Sequence, residues 1–127
     1  MEIARIAFFD VTPTIYSHYP IPAGIVGATI KIEYPGEMWK NLTKTVIFRK
    51  YYGTGKERYS AYYTVEDAGN IVTIPKELVI MPRTLVQVGA CGKDEEGKIV
   101  IPTIWVDLGV VRDSPNGVEL PKLKQFP

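Results

Sequence analysis

The chain has one cysteine and one histidine among its 127 residues, and these two shortages exclude several kinds of chemistry. A single thiol, Cys91, cannot form an intrachain disulfide or a cysteine-based zinc cluster. A single imidazole, His18, would have to serve any Ser-His-Asp or Cys-His assembly, and no spacing in the sequence places a serine or Cys91 beside it. We therefore expect no catalytic residue, no metal ligand and no cofactor.

The sequence also lacks long apolar runs and an excess of either charge. No stretch approaches the ~20 apolar residues of a membrane-spanning helix, and the first ten residues mix charges into apolar positions, unlike a secretory signal. Fifteen Lys and Arg oppose fourteen Asp and Glu, which leaves a formal charge of +1 and no field that would recruit nucleic acid. These features predict a chain made in the cytoplasm, with no membrane insertion and no nucleic-acid partner.

Turn residues are plentiful by contrast, because 11 Gly and 10 Pro are spread along the whole chain. Between them, alternation of apolar and polar residues predicts seven or so strands and a single helical turn near 75–80. The strands are expected at 3–9, 25–34, 43–51, 59–65, 71–74, 84–91, 98–106 and 108–111. We predict an all-β fold, an antiparallel β-sandwich of immunoglobulin-like topology, with a small barrel as the alternative.

Two segments show no clear alternation. Residues 11–24 hold three prolines and are expected to form an extended loop laid over the domain, which spans residues 1–112. Residues 113–127 also carry prolines and are expected to form an extended docking tail.

Local motifs that suggest chemistry fail on inspection. The loop at residues 53–56, Gly-Thr-Gly-Lys, lacks the first glycine and the following Ser or Thr of a phosphate-binding loop. The acidic turn at 94–97 lacks the ligand alternation of a calcium loop. One hypothesis for a catalytic function is a small hydrolase, which requires Glu33 or Asp107 to lie beside a second carboxylate in a cleft.

Five stretches have strand-and-turn patterns that bear on family membership: residues 6–17, 39–49, 72–75, 86–90 and 101–109. These stretches resemble a loosely described group of virion proteins from bacteriophages and prophages of Gram-positive gut bacteria. The resemblance implies a β-sandwich module near the N-terminus of head-fibre, capsid-decorating or upper-baseplate proteins, which attaches to the particle and carries something outward. The resemblance implies no active-site residue in this chain.

Together these features predict a non-enzymatic virion structural protein on the particle surface, as a capsid decoration or head-fibre base. Its partners would be capsid or other virion proteins, and assembly as a dimer or trimer is left open. The predicted particle-binding residues are Tyr16, His18, Tyr19, Pro20, Leu120, Leu123 and Phe126.

The alternative function is a carbohydrate-binding or host-attachment module of the tail or baseplate. Tyrosine offers a large contact area with few rotors to immobilise, so exposed Tyr51, Tyr52 and Tyr62 would stack against sugars of a host-surface glycan. The competing interpretation is that the tyrosine-rich strand at 59–65 fills the core.

Overall fold

The computed structural model describes residues 1–52, 59–66 and 70–113, with the backbone alone for Tyr52 and residues 59–66. The first of its two sheets has four strands in the order β2-β1-β4-β7. Strands β1 and β2 form an antiparallel hairpin, β4 runs parallel to β1, and β7 is antiparallel to β4. The bounds are β1 Glu2–Phe9, β2 Thr12–His18, β4 Thr29–Glu33 and β7 Ile71–Thr73.

The second sheet has five strands in the order β3-β9-β8-β5-β6. All neighbours in it are antiparallel except β3, which pairs in parallel with the end of β9. A short 3₁₀ turn, Lys76–Leu78, follows β7. The bounds are β3 Ile21–Pro22, β5 Thr43–Tyr52, β6 Tyr59–Glu66, β8 Leu85–Lys93 and β9 Ile99–Arg112.

The connections between the sheets are those of an immunoglobulin-like sandwich. The order β9-β8-β5-β6 corresponds to strands G, F, C and C′ of that fold, and the antiparallel pair β4-β7 corresponds to B and E. The predicted all-β sandwich is therefore confirmed, and the helical turn expected near 75–80 is present at Lys76–Leu78. The two parallel pairs, β1-β4 and β3-β9, depart from a purely antiparallel arrangement.

One apolar core lies between the sheets. In β5, Val46 and Phe48 are fully buried, while Arg49 on the opposite face is only partly buried. In β8, Val86, Val88 and Ala90 face the same interior, as the two-residue period of a strand requires. Both sheets contribute to one continuous cluster of buried side chains, so the sandwich is held chiefly by burial of apolar area.

An aromatic cluster closes the core at the end where β1 finishes. Phe8 is fully buried, its ring centroid lying 5.8 Å from Tyr34 and 5.9 Å from Trp39. The indole Nε1 of Trp39 donates a hydrogen bond of 2.9 Å to the carbonyl oxygen of Asp10, in the turn between β1 and β2. This hydrogen bond satisfies the one polar group of the buried indole.

The prediction of an extended loop at 11–24 is wrong, because this segment contains β2 and β3. Asp10, with φ of 52°, allows a tight turn that returns the chain along β1. No residue of β2 is buried, so the strand shows no apolar alternation. Its position at the sheet edge also accommodates Pro13, whose missing N–H would interrupt an inner strand.

The strand predicted at 25–34 is shorter than expected. The structure begins β4 at Thr29, and Gly27 before it has φ of 78°, which a strand residue does not adopt. Ala28, Ile30 and Ile32 share one buried face, whereas Val26, two residues before Ala28, is 76% exposed. Residues 108–111, expected as a separate strand, are the end of β9.

Candidate interaction surface

The surface of interest forms where β2 ends beside β9, at the junction of the two sheets. Strand β2 finishes at His18, and the chain then forms β3, whose Ile21 and Pro22 pair with Val111 and Arg112. The ring nitrogen Nε2 of His18 is hydrogen-bonded to the carbonyl oxygen of Leu108 in β9. Because that oxygen accepts the bond, Nε2 carries the proton. This bond links the edges of the two sheets.

Gly109 makes the approach of His18 to β9 possible. A β-carbon at Gly109 would lie 3.2 Å from both Cε1 and Nε2 of the imidazole, which is tighter than ordinary contact. Gly109 also has φ of 125°, a conformation that residues with side chains rarely adopt. The glycine therefore both shapes the end of β9 and leaves room for the ring.

Two adjoining cavities lie at β3. The first, of about 390 Å³, is lined by residues that include His18, Ile21 and Leu108–Val110. The second is a groove of about 400 Å³ with an almost wholly apolar lining that includes Tyr19 and Pro22. Pro20 and Arg112 line both. We call this region the β3 surface and define it by His18, Tyr19, Pro20, Pro22 and Arg112.

Arg112 supplies the positive charge of the β3 surface. Its side chain is exposed and makes no hydrogen bond or ion pair with any residue that the structure describes. By contrast, Arg5 is bonded through Nε to Glu2 at 2.6 Å, and this hydrogen bond raises the pKa of the Arg5 guanidinium. Arg112 is thus a guanidinium that is available to a partner's acceptor groups.

Three exposed apolar side chains line the two cavities, namely Met1, Tyr19 and Val110. Tyr19 is 57% exposed and Met1 is 68% exposed, and both line the groove. Tyr16 is 58% exposed and lies farther along β2, where its ring meets Phe9 edge-on at 6.2 Å. Large exposed apolar side chains that cluster, rather than being scattered singly, are typical of contact surfaces.

Three of the predicted particle-binding residues, His18, Tyr19 and Pro20, come together on the β3 surface. Tyr16 does not line either cavity; it is the extra residue of a β-bulge, since Arg5 pairs with Ser17 and Ile6 with Ile15. Leu120, Leu123 and Phe126 lie outside the described residues.

Sequence reasoning missed Arg112, Pro22 and Gly109 as members or supports of this surface. Their place depends on the pairing of β3 with β9, between residues about ninety positions apart in the chain. The pattern Pro-Ile-Pro at 20–22 was the one local signal, because alternate prolines around a buried residue are typical of an edge segment.

Of the three predicted glycan-stacking residues, the structure describes the side chain of Tyr51 alone. Tyr51 is half-buried on the outer face of β5, with the Arg49 guanidinium 5.3 Å from its ring centroid. The side chains of Tyr52 and Tyr62 lie outside the described part of the chain, although Tyr62 pairs with Arg49 in register. Stacking of sugars on these tyrosines stays a prediction.

The same outer face holds a polar and aromatic network that links three strands. Arg49 lies 3.7 Å from the ring centroid of Trp105 and donates through Nε to Gln87 Oε1 at 2.6 Å. Gln87 in turn donates through Nε2 to Asp107. These groups bind one another across β5, β8 and β9, and the guanidinium lies over the indole ring.

The carboxylates of the hydrolase hypothesis lie on different sheets. Glu33 ends β4 in the four-stranded sheet, while Asp107 lies in β9 and accepts a hydrogen bond from Gln87. Neither lines the two cavities described above. Among the described residues, no group of three His, Cys, Asp or Glu side chains is placed to hold a metal ion.

Within the described ranges, no helix is long and apolar enough to cross a membrane. Comparison with protein-family models, curated proteins and solved structures found no match for this chain.

Proposed function

We propose that this chain is a non-catalytic structural module of a phage virion, and that it attaches to a neighbouring virion protein through the β3 surface. The observation that carries the proposal is the convergence of exposed His18, Tyr19 and Pro20 with Arg112 around two adjoining cavities. Tyrosine and arginine side chains that border a pocket contribute most of the binding energy at many protein interfaces.

The architecture supports attachment rather than chemistry. A sandwich holds its loops and edge strands on a rigid core, and the β3 surface is tied to that core by the His18–Leu108 hydrogen bond and the β3-β9 pairing. Rigid contact groups lose little conformational entropy when they bind. The sequence resemblance to virion proteins indicates the class of partner, a capsid or baseplate subunit, and a capsid-decorating or head-fibre-base position follows from it.

The test uses phage particles produced from the genome that encodes this chain. The gene is replaced by versions carrying Tyr19→Ser or Val26→Ser, and the protein that co-sediments with purified particles is quantified by immunoblot. Val26 is the matched control, because it is exposed and apolar but lies outside both cavities. We expect Tyr19→Ser to reduce association about tenfold or more, as loss of an aromatic anchor does, and Val26→Ser to leave it unchanged.

Circular dichroism of each purified variant separates a binding defect from unfolding. Equal loss of association for both variants, with both folded, would place the contact elsewhere on the molecule. Absence of the unaltered protein from the particles would overturn the virion role itself.

A further inference from the structure

We infer that the segment which the β3 surface recognises is an extended, proline-bearing peptide with a carboxylate side chain. This inference rests on the proposed function and names the partner's chemistry. It depends on the lining of the groove and on Arg112, which borders the groove and has no side-chain partner among the described residues.

The groove has the lining that favours an extended peptide. Tyr19, Pro20 and Pro22 border it with flat, rigid faces, and Met1 adds a flexible apolar side chain. Tyr19 is the one aromatic residue of this lining. Peptides in the polyproline II conformation dock against aromatic faces, because their backbone is already extended and little entropy is lost on binding. A globular surface would not enter a hollow of about 400 Å³ without a protruding segment.

Pairing of a partner strand along the sheet edges is less favoured. Strand β2, at the edge, carries Pro13 and a bulge at Tyr16. Beyond β3, the outer edge of β9 carries Pro102, near one of three register shifts against β8. Prolines and bulges interrupt the ladder that an added strand would need. A peptide held by side chains in the groove avoids this requirement.

Arg112 determines the charge of the partner. It is the one residue with a full positive side-chain charge among those that line the two cavities, and it borders both. A guanidinium with no described partner binds a carboxylate through two parallel hydrogen bonds. Asp113 is the one acidic residue of the two linings; it lines the groove but not the His18 cavity, so Arg112 borders one cavity that has no acidic lining residue.

The partner therefore carries apolar or proline residues for the groove and an Asp or Glu for Arg112. Two other occupants are chemically compatible with the groove: residues 114–127 of this chain, which follow Asp113, and a second copy of the protein. The experiment below assigns the groove to one of the three.

The probe is a fluorescein-labelled nonapeptide of Pro-Pro-Glu triplets, titrated with the full chain and followed by fluorescence anisotropy. We expect saturable binding that weakens about tenfold when Gln replaces Glu in the peptide, since hydrogen bonds to charged groups contribute that much. Arg112→Gln should weaken binding of the Glu peptide equally. Arg83→Gln is the matched control, because Arg83 lies outside both cavities and its substitution removes the same charge.

Several results would overturn the inference. These are absence of saturable binding, equal affinity for the Glu and Gln peptides, or an unchanged affinity in Arg112→Gln. Tighter peptide binding after joint Leu120→Ser, Leu123→Ser and Phe126→Ser substitution would assign the groove to the chain's own C-terminal segment. Self-association in analytical ultracentrifugation that Arg112→Gln abolishes would assign it to a second copy.

The same peptide added to the co-sedimentation assay distinguishes this inference from the proposed function. Displacement of the protein from particles supports both. If Tyr19→Ser weakens particle association but the peptide does not displace the protein, the proposed function stands and the peptide chemistry is overturned. The direct titration tests the peptide chemistry even if the protein is absent from particles.

Discussion

The imidazole of His18 lies so close to Gly109 that the first side-chain carbon of any other residue at position 109 would crowd the ring. A β-carbon on Gly109 would meet the ring at 3.2 Å, and the bond from His18 Nε2 to the Leu108 carbonyl holds the ring there. The two residues are 91 positions apart and join the edges of different sheets, which makes their contact a determinant of the β3 surface.

We predict that Gly109→Ala destabilises the protein by about 2–4 kcal/mol, because the positive φ and the contact with His18 act together. The measurement is urea unfolding followed by circular dichroism. When His18 is replaced by Ala, the loss of unfolding free energy caused by Gly109→Ala should fall to about 1–3 kcal/mol, because only the strain of the positive φ remains.

Gly97→Ala is the control for this pair. Gly97 also has positive φ, of 83°, but a β-carbon added there would meet nothing within 4 Å. Its cost should be about 1 kcal/mol and should not change in the His18→Ala background. An equal cost of Gly109→Ala with and without His18 would show that the imidazole does not constrain this glycine.

Phe8 and Phe9 are neighbours in β1 with opposite environments, and we predict very different costs of truncation. Phe8→Ala should destabilise by about 3–5 kcal/mol, since the ring is fully buried against Tyr34 and Trp39. Phe9 is 45% exposed and touches Tyr16, so Phe9→Ala should cost about 1 kcal/mol or less. Chemical denaturation of both variants checks this, and similar costs would contradict the assigned inner face of β1.

Arg49 covers Trp105 on the outer sheet face, and we predict that Arg49→Ala uncovers the indole. Acrylamide should then quench tryptophan fluorescence more strongly, because it reaches the uncovered Trp105 ring. The other tryptophan, Trp39, is 1% exposed and contributes little quenching in either form. Loss of the stacked cation should also lower stability by about 0.5–2 kcal/mol.

Lys44→Ala is the control for this measurement, since its ammonium lies over the Tyr34 ring at 5.5 Å and does not contact Trp105. The quenching constant of Lys44→Ala should match that of the unaltered protein. Unchanged quenching in Arg49→Ala would mean that the guanidinium does not shield Trp105 in solution.

Cys91 is 3% exposed in β8, and we predict that its thiol reacts with a thiol-modifying reagent only when the chain unfolds. Burial keeps the reagent away from the sulfur, so a buried structural cysteine is inert until the chain opens. The rate of labelling with 5,5′-dithiobis(2-nitrobenzoic acid) should therefore be slow in buffer and rise sharply across the urea transition. Rapid labelling of the folded protein would contradict the position of Cys91.

The strands that sequence predicts well are those whose alternation is produced by burial of one face. In β5 and β8, Val46, Phe48 and Val88 follow a period of two because the sheet buries every second side chain. Strand β2 shows no such pattern, because it lies at an edge and none of its residues is buried. Its existence depends on pairing with β1, which composition alone does not reveal.

The candidate site was predictable to the extent that it is local. His18, Tyr19 and Pro20 are consecutive, so their clustering in a proline-bearing segment is visible in the sequence. Arg112 joins them only because β3 pairs in parallel with the end of β9, a contact that sequence distance conceals. The groove itself is formed by backbone geometry at that junction and has no signature in residue order.

The central claim is that this sandwich attaches to a phage particle through the β3 surface, and cryo-electron microscopy of the particle made from the same genome tests it most directly. The account predicts density for the two-sheet sandwich on the particle, with Tyr19 and Arg112 against an extended segment of a neighbouring virion subunit. Particles without this sandwich, or a bound sandwich whose β3 surface faces solvent, would contradict it.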